Sequence, residues 1–182
     1  MTDPLGNELL RQARAAISEA LGGPPCPLPV NLPELNEPGA TFVTLTRAGE
    51  LRGCIGSLQA YRPLLADVRA NAVSAALNDP RFYPLESCEL AKVRVEVSLL
   101  TQPEPVEFSD EADLIAQIVP NEDGLIITSG PYRATFLPQV WEQLRDPRQF
   151  LAHLKQKSGL PSDTLIEEFG VQRYRVRKWK EA

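Results

Sequence analysis

Residues 92–100 alternate strictly between apolar and polar: Val93, Val95, Val97 and Leu99 fall on one side, Arg94, Glu96 and Ser98 on the other. Successive side chains of an extended strand point to opposite faces, so this period of two predicts a strand with one buried and one solvated face. A sheet of such strands needs a second layer over its apolar side. The N-terminal segment supplies one. Asp3 and Pro4 read as a cap and first turn, after which Leu9, Leu10, Ala13, Ala16, Ile17, Ala20 and Leu21 recur at helical spacing until Gly22-Gly23.

Residues 24–38 hold six prolines in fifteen positions, which excludes regular helix and predicts an extended strap along the surface. Residues 41–46 and 51–58, joined by the turn Arg47-Ala48-Gly49-Glu50, read as a hairpin. Pro63 opens a helix with Leu65, Val68, Ala72, Ala75 and Ala76 on one face; it stops at Asn78-Asp79-Pro80, because proline disfavours helix in the residue before it. The second half replays this order with a helix over 109–119, a hairpin of 125–128 with 133–137, helices within 138–158 and a strand over 171–179. The expectation is an α+β fold, a mostly antiparallel sheet with flanking helices. It forms one domain over 1–182, with lobes at 1–100 and 101–182 and an α-β-β-α-β unit used twice, a pseudo-duplication.

With 43% hydrophobic residues in 182, the chain can build a sizeable core. Its charges are mixed along the sequence, and a net charge of -5 gives no electrostatic reason for wholesale nucleic-acid binding. Residues 1–10 carry acidic and polar groups where a secretory signal carries basic ones followed by an apolar run. No apolar run approaches the roughly 20 residues that span a bilayer, so a cytoplasmic, non-membrane protein is expected. Cys26, Cys54 and Cys88 form no CxxC pair and are odd in number, which predicts reduced thiols. With His153 the single histidine, no Cys/His zinc site is expected. The chain has no GxxxxGK[ST], GxGxxG, GxSxG or HExxH motif, and none of its motifs names a cofactor.

Gly53 and Gly56 bracket Cys54-Ile55 inside what reads as a strand, where glycine marks a bulge or a close backbone approach. Two readings stand level on the residues alone. In one, the thiol is presented between small residues with exposed amides, and Arg52 supplies positive charge that favours the thiolate. In the other, the cysteine is a small buried apolar residue. The run Asn78-Asp79-Pro80-Arg81-Phe82 can aim Asp79 or Arg81 toward a shared cleft, although ending a helix is its more ordinary use. Glu96 on the wet side of its strand, and His153 beside the stripe of Phe150, Leu151 and Leu154, read as solvated or packed groups. Arg173, Arg175 and Arg177 share one face of the last strand, with Lys178 and Lys180 beyond, as a guarded sheet edge or a grip for an anion.

Taken in order, Leu51-Arg52-Gly53-Cys54-Ile55-Gly56-Ser57, Asn78-Asp79-Pro80-Arg81-Phe82 with Pro84-Leu85, Val95-Glu96-Val97-Ser98-Leu99-Leu100, Phe136-Leu137-Pro138-Gln139-Val140 and Lys157-Ser158-Gly159-Leu160 resemble the AMME chromosomal region (AMMECR) domain family over nearly the whole chain. Its bacterial and archaeal members are labelled AmmeMemoRadiSam system protein A, so the resemblance implies Memo-like and radical-SAM proteins as partners. It implies a two-lobed α+β fold. It also favours Cys54 as a candidate catalytic residue, with Arg52, Gly53, Gly56 and Arg81 as candidate ligand- or partner-binding residues. It implies no particular reaction. Many relatives resemble His-Gly where this chain has Asp123-Gly124, so a cysteine–histidine pair is not expected here. Two functions follow. The first is a module that binds a small molecule or a partner's peptide in a cleft lined by the Cys54 segment and the stretch from Asp79 to Arg81. The second is an enzyme in which Cys54 attacks an electrophilic carbon, Arg52 or Arg81 holds an anionic group, and Asp79 or Glu96 moves the proton. The binding reading asks less of the sequence.

Overall fold

Asp3 turns the chain into its first helix. In a computed structural model, which describes residues 3–182, its carboxylate accepts the N–H groups of Leu5 (3.1 Å) and Gly6 (3.4 Å), and Pro4 takes the first helical position. The elements run α1 (Pro4–Ala20), β1 (Ala40–Arg47), β2 (Glu50–Gly56), α2 (Leu64–Leu77), β3 (Val93–Leu100), β4 (Glu104–Pro105) and α3 (Glu111–Gln117). They continue with β5 (Gly124–Ser129), β6 (Tyr132–Phe136), α4 (Pro147–Ser158), β7 (Gly170–Tyr174) and β8 (Val176–Lys180). Two compact units result: Met1–Leu100 with Arg177–Ala182, and Thr101–Val176. Among the described residues no helix is long and apolar enough to cross a membrane.

The first unit carries the sheet β2-β1-β3-β8. Leu9, Ala13 and Ile17 of α1 and Val68, Ala72 and Ala75 of α2 close over Val43 and Leu45 of β1 and Val93, Val95 and Val97 of β3. Each fully buried Leu, Ile or Val side chain in this layer contributes about 1.5–3 kcal/mol. The alternation of β3 holds through Val97 and then breaks: Ser98 and Leu100 are buried and Leu99 is half-buried. Ser98 stands in register with Phe42, whose ring shields that end of the supposedly wet face. The α2 face also differs from its expected composition. Leu64 is buried rather than Leu65, and the polar Asp67 and Asn71 lie inside with the alanines.

The second unit carries β4-β7-β5-β6 over a core of Leu114, Leu125, Ile127, Phe150, Leu151, Leu154 and Trp141, whose ring stacks on Phe150 at 3.8 Å. Both hairpins close with turns matched to strand twist. Ala48 (φ 51°) and Gly49 (φ 83°) are both left-handed in the first, and Gly130 (φ 56°) precedes Pro131 in the second. The order β2-β1-β3 recurs as β6-β5-β7, with α2 and α4 as the respective connections.

Two expectations need correction. The last strand is not one element: it breaks at Arg175, β7 lying inside the second sheet and β8 at an edge of the first. Arg173, Arg175 and Arg177 therefore form no common row. They go separately to the Gln117 carbonyl (3.4 Å), to Asp123 (3.1 Å) and to Asp3 (2.8 Å). The proline-rich strap has no regular structure over residues 24–32, turns tightly where the Leu32 N–H donates to the Val30 carbonyl (2.9 Å), and then forms a 3₁₀ turn at Pro33–Asn36, a form too short for proline to obstruct.

Candidate functional site

Everything about the Cys54 segment follows from one extra residue. A regular hairpin closed by Ala48-Gly49 would set Cys54 opposite Val43, on the core face. The observed pairs run Arg47↔Glu50 and Thr46↔Leu51, then jump to Leu45↔Gly53 and Thr44↔Cys54, so Arg52 is the additional residue of a β-bulge. A slip of one residue exchanges the faces of everything beyond it. Gly53 turns to the helix side, where its Cα meets the Ala75 carbonyl so closely that no Cβ fits. Cys54 turns to the opposite side, beside Thr44, with Glu96 level with Thr44 on the next strand. The thiol lies 3.3 Å from Thr44 Oγ1. Gly56 is confined by the ring of Phe42 on that same side.

The bulge carries Arg52 away to its own partners. Its Nη2 and Nε donate to Glu89 Oε2 (3.0 Å) and Oε1 (3.3 Å), and its Nη1 donates to the Tyr83 carbonyl (3.0 Å). Arg47 joins the same carboxylate at 2.8 Å. Arg52 above all, with the Glu86 N–H, holds the Glu89 carboxyl down at about 2.

Because β2 is an outer strand, the outward amide and carbonyl of Cys54 need partners from elsewhere. Asp79 and Arg81, just past the end of α2, supply both. Asp79 Oδ2 accepts the Cys54 N–H (2.9 Å), and Arg81 Nη2 donates to the Cys54 carbonyl (3.2 Å). The pair is locked internally by Arg81 Nη2 to Asp79 Oδ2 (2.7 Å) and Nε to Oδ1 (3.0 Å). It thus stands in for one residue of a neighbouring strand. The Arg81 guanidinium keeps the buried Asp79 carboxyl well below the usual carboxylate range, and Asp79 in turn raises Arg81. Phe82 lies between the two guanidinium groups, 6.0 Å from Arg52 and 5.6 Å from Arg81.

The structure therefore gathers Cys54, Gly53, Asp79 and Arg81 at one point of the β2 edge, and sends Arg52 to Glu89. Sequence reasoning missed Thr44 and Glu89, since both contacts depend on the bulge. It also missed a buried network one step along β2. The fully buried Asp67 accepts from the Thr41 N–H and hydroxyl (2.7 Å each), Ser57 Oγ (2.7 Å), Arg62 Nε (2.8 Å) and Asn71 Nδ2 (3.0 Å). The spacing of Asp67 and Asn71, one helical turn apart among alanines, is the signal that could have found it.

In the second unit, Asp123 is buried. It accepts the Val119 N–H (2.9 Å) and Arg175 Nε (3.1 Å), while its carbonyl accepts Trp141 Nε1 (2.8 Å). It clamps its own loop. His153 is exposed on α4. Among the described residues no group of three or more His, Cys, Asp or Glu side chains could hold a metal ion.

The AMMECR1 family model matches residues 10–179. A protein of Methanothermobacter thermautotrophicus is 40% identical over 180 residues, covering 97% of this chain and 94% of its own. One of Methanocaldococcus jannaschii is 40% identical over 173 residues, covering 93% and 86%. The crystal structure of an uncharacterized protein from Pyrococcus horikoshii aligns with a TM-score of 0.80 at 36% identity, over 100% of this chain and 93% of that one. Matched along almost its full length by the family model and by these relatives, the chain belongs to the AMMECR1 family.

Proposed function

We propose that this chain is a cytoplasmic binding module whose site is the sheet face and edge around Cys54, taking a small molecule or a segment of a partner protein. The observation that carries this reading is the commitment of the charged groups. Asp79 and Arg81 are spent on each other and on the Cys54 main chain, and Arg52 is spent on Glu89. A general base must be free to take a proton, and an Asp79 carboxyl held so low by Arg81 is a poor one. The three cysteines are free, in keeping with a reducing compartment. Through the family association we extend the proposal to the role of AmmeMemoRadiSam system protein A, with Memo-like and radical-SAM proteins as the partners.

One observation favours the alternative of a cysteine-dependent enzyme: the Thr44 hydroxyl stands between the thiol and the register position of Glu96, a route by which the thiol proton could leave. The exposed Cys88 provides an internal standard to separate the two. Iodoacetamide labelling at neutral pH, followed peptide by peptide by mass spectrometry, is expected to modify Cys54 no faster than Cys88. A Cys54 reacting at least tenfold faster would establish an activated thiol and overturn the binding-only reading. For the binding role, calorimetric titration with the Memo-like and radical-SAM proteins should give a complex that Cys54→Trp abolishes. No complex with either removes these partners, and undiminished binding by the variant moves the site elsewhere.

A further inference from the structure

The strap over residues 24–32 pairs with no strand, yet α1 and α2 hold it at every step. Glu19 Oε2 accepts the Cys26 N–H (3.1 Å) and Glu8 Oε1 the Val30 N–H (3.2 Å). Gln12 Nε2 (3.3 Å) and Arg69 Nη2 (3.2 Å) donate to the Pro27 carbonyl, and Arg11 Nη2 donates to the Leu28 carbonyl (3.0 Å). Gln12 is 0% and Glu8 4% exposed. Polar groups buried this deeply are costly unless bonded; they bond one another and the Arg11 and Arg69 side chains, and each adds one bond to the backbone of the strap.

The outward side is the reverse. Leu28 is 89% and Val30 49% exposed, and Pro24, Pro25, Pro27 and Pro29 all face solvent. Proline fixes φ near −65° and pushes the preceding residue to extended backbone, so this run favours the polyproline II form, with three residues per turn. That period puts Pro25 and Leu28 on one ridge and Pro24 and Pro27 on another. The helices thus consume the inward carbonyls and display two apolar ridges whose ordering entropy has already been lost on folding.

We infer that the strap is a docking ligand for a partner protein bearing an aromatic-lined groove for polyproline II segments. Pre-organised prolines are what such grooves select. The surroundings of the strap carry both signs: Glu34 and Glu37 are exposed beside it, while the Arg11 and Arg69 guanidinium groups lie on the Leu28 and Pro27 carbonyls. Recognition therefore rests on the apolar ridges rather than on charge.

The test is a titration of the full chain, ¹⁵N-labelled, with an isolated WW domain, whose groove is lined by aromatic rings. Saturable shifts are expected at the amides of Cys26, Leu28 and Val30, with binding at least tenfold weaker for Leu28→Ala and for Pro25→Ala. Leu28 is so exposed that its truncation should leave the melting temperature unchanged, which separates lost contact from lost fold. The absence of saturable shifts, shifts confined to other regions, or undiminished binding by both variants overturns the inference. Perturbation of the same amides by phosphatidylcholine vesicles but not by the WW domain also overturns it, making the ridge a lipid contact.

Discussion

Replacing Gly53 by alanine tests how closely β2 is drawn onto α2. An added Cβ would collide with the Ala75 carbonyl oxygen and stand 3.0 Å from its carbonyl carbon. Both atoms are main chain in the last turn of α2 and cannot rotate away as a side chain can, so the strand has to retreat by about 1 Å to reach ordinary contact distances. Overpacking of this kind costs about 1–3 kcal/mol. The retreat also strains the Cys54 N–H bond to Asp79 (2.9 Å), adding about 1 kcal/mol. A total of about 2–4 kcal/mol corresponds, for a chain of this size, to a fall in Tm of about 5–15 °C. Gly56→Ala is the control. Its Cβ would meet the Phe42 ring from Cγ outward, so Phe42 must change rotamer to make room, at a cost of about 1–3 kcal/mol, while the Cys54 bond to Asp79 stays in place. Scanning calorimetry is the assay, because two units can give two transitions and only the one containing β2 should move. A Gly53→Ala protein within about 1 kcal/mol of the parent would refute the reading of a backbone-on-backbone approach.

Two further outcomes follow from the same region. Deleting Arg52 should leave a regular hairpin in which Gly53 follows Leu51 opposite Leu45 and Cys54 stays opposite Thr44, so iodoacetamide should label Cys54 at the parent's rate; protection of the thiol would show that Arg52 is not the extra residue. Glu89 is held in the folded state at about 2, below its unfolded value of about 4.3. Its stabilising effect is therefore fully present above that unfolded value and lost as pH falls toward 2. Glu89→Gln should flatten the decline of Tm between about pH 4.3 and 2; an identical pH slope in the variant would refute the assignment of that loss to Glu89.

Much of the fold is legible because it is local. The cap at Asp3, the turn at Ala48-Gly49 and the apolar period of β3 as far as Val97 each depend on residues a few positions apart, and each appears where the sequence predicts it. The candidate site is legible only as a list of residues: Gly53, Cys54, Asp79 and Arg81 do meet, though as an edge cap and a thiol beside Thr44 rather than as a charged cleft. The fastening of the proline strap, too, depends on buried Glu8 and Gln12, which the helical pattern alone would have placed in water.

By itself, the sequence determined that a strand, read at residues 51–58 and formed over Glu50–Gly56, carries a cysteine between two glycines. Which face that cysteine occupies was decided by tertiary structure alone. The turn sets a register that would bury Cys54. The approach of α2 to Gly53, together with the pull of Glu89 on Arg52, inserts one residue into that register. Side chains on a strand alternate, so a single inserted residue inverts every position beyond it, and no local pattern records an insertion whose cause lies on a helix more than twenty residues away.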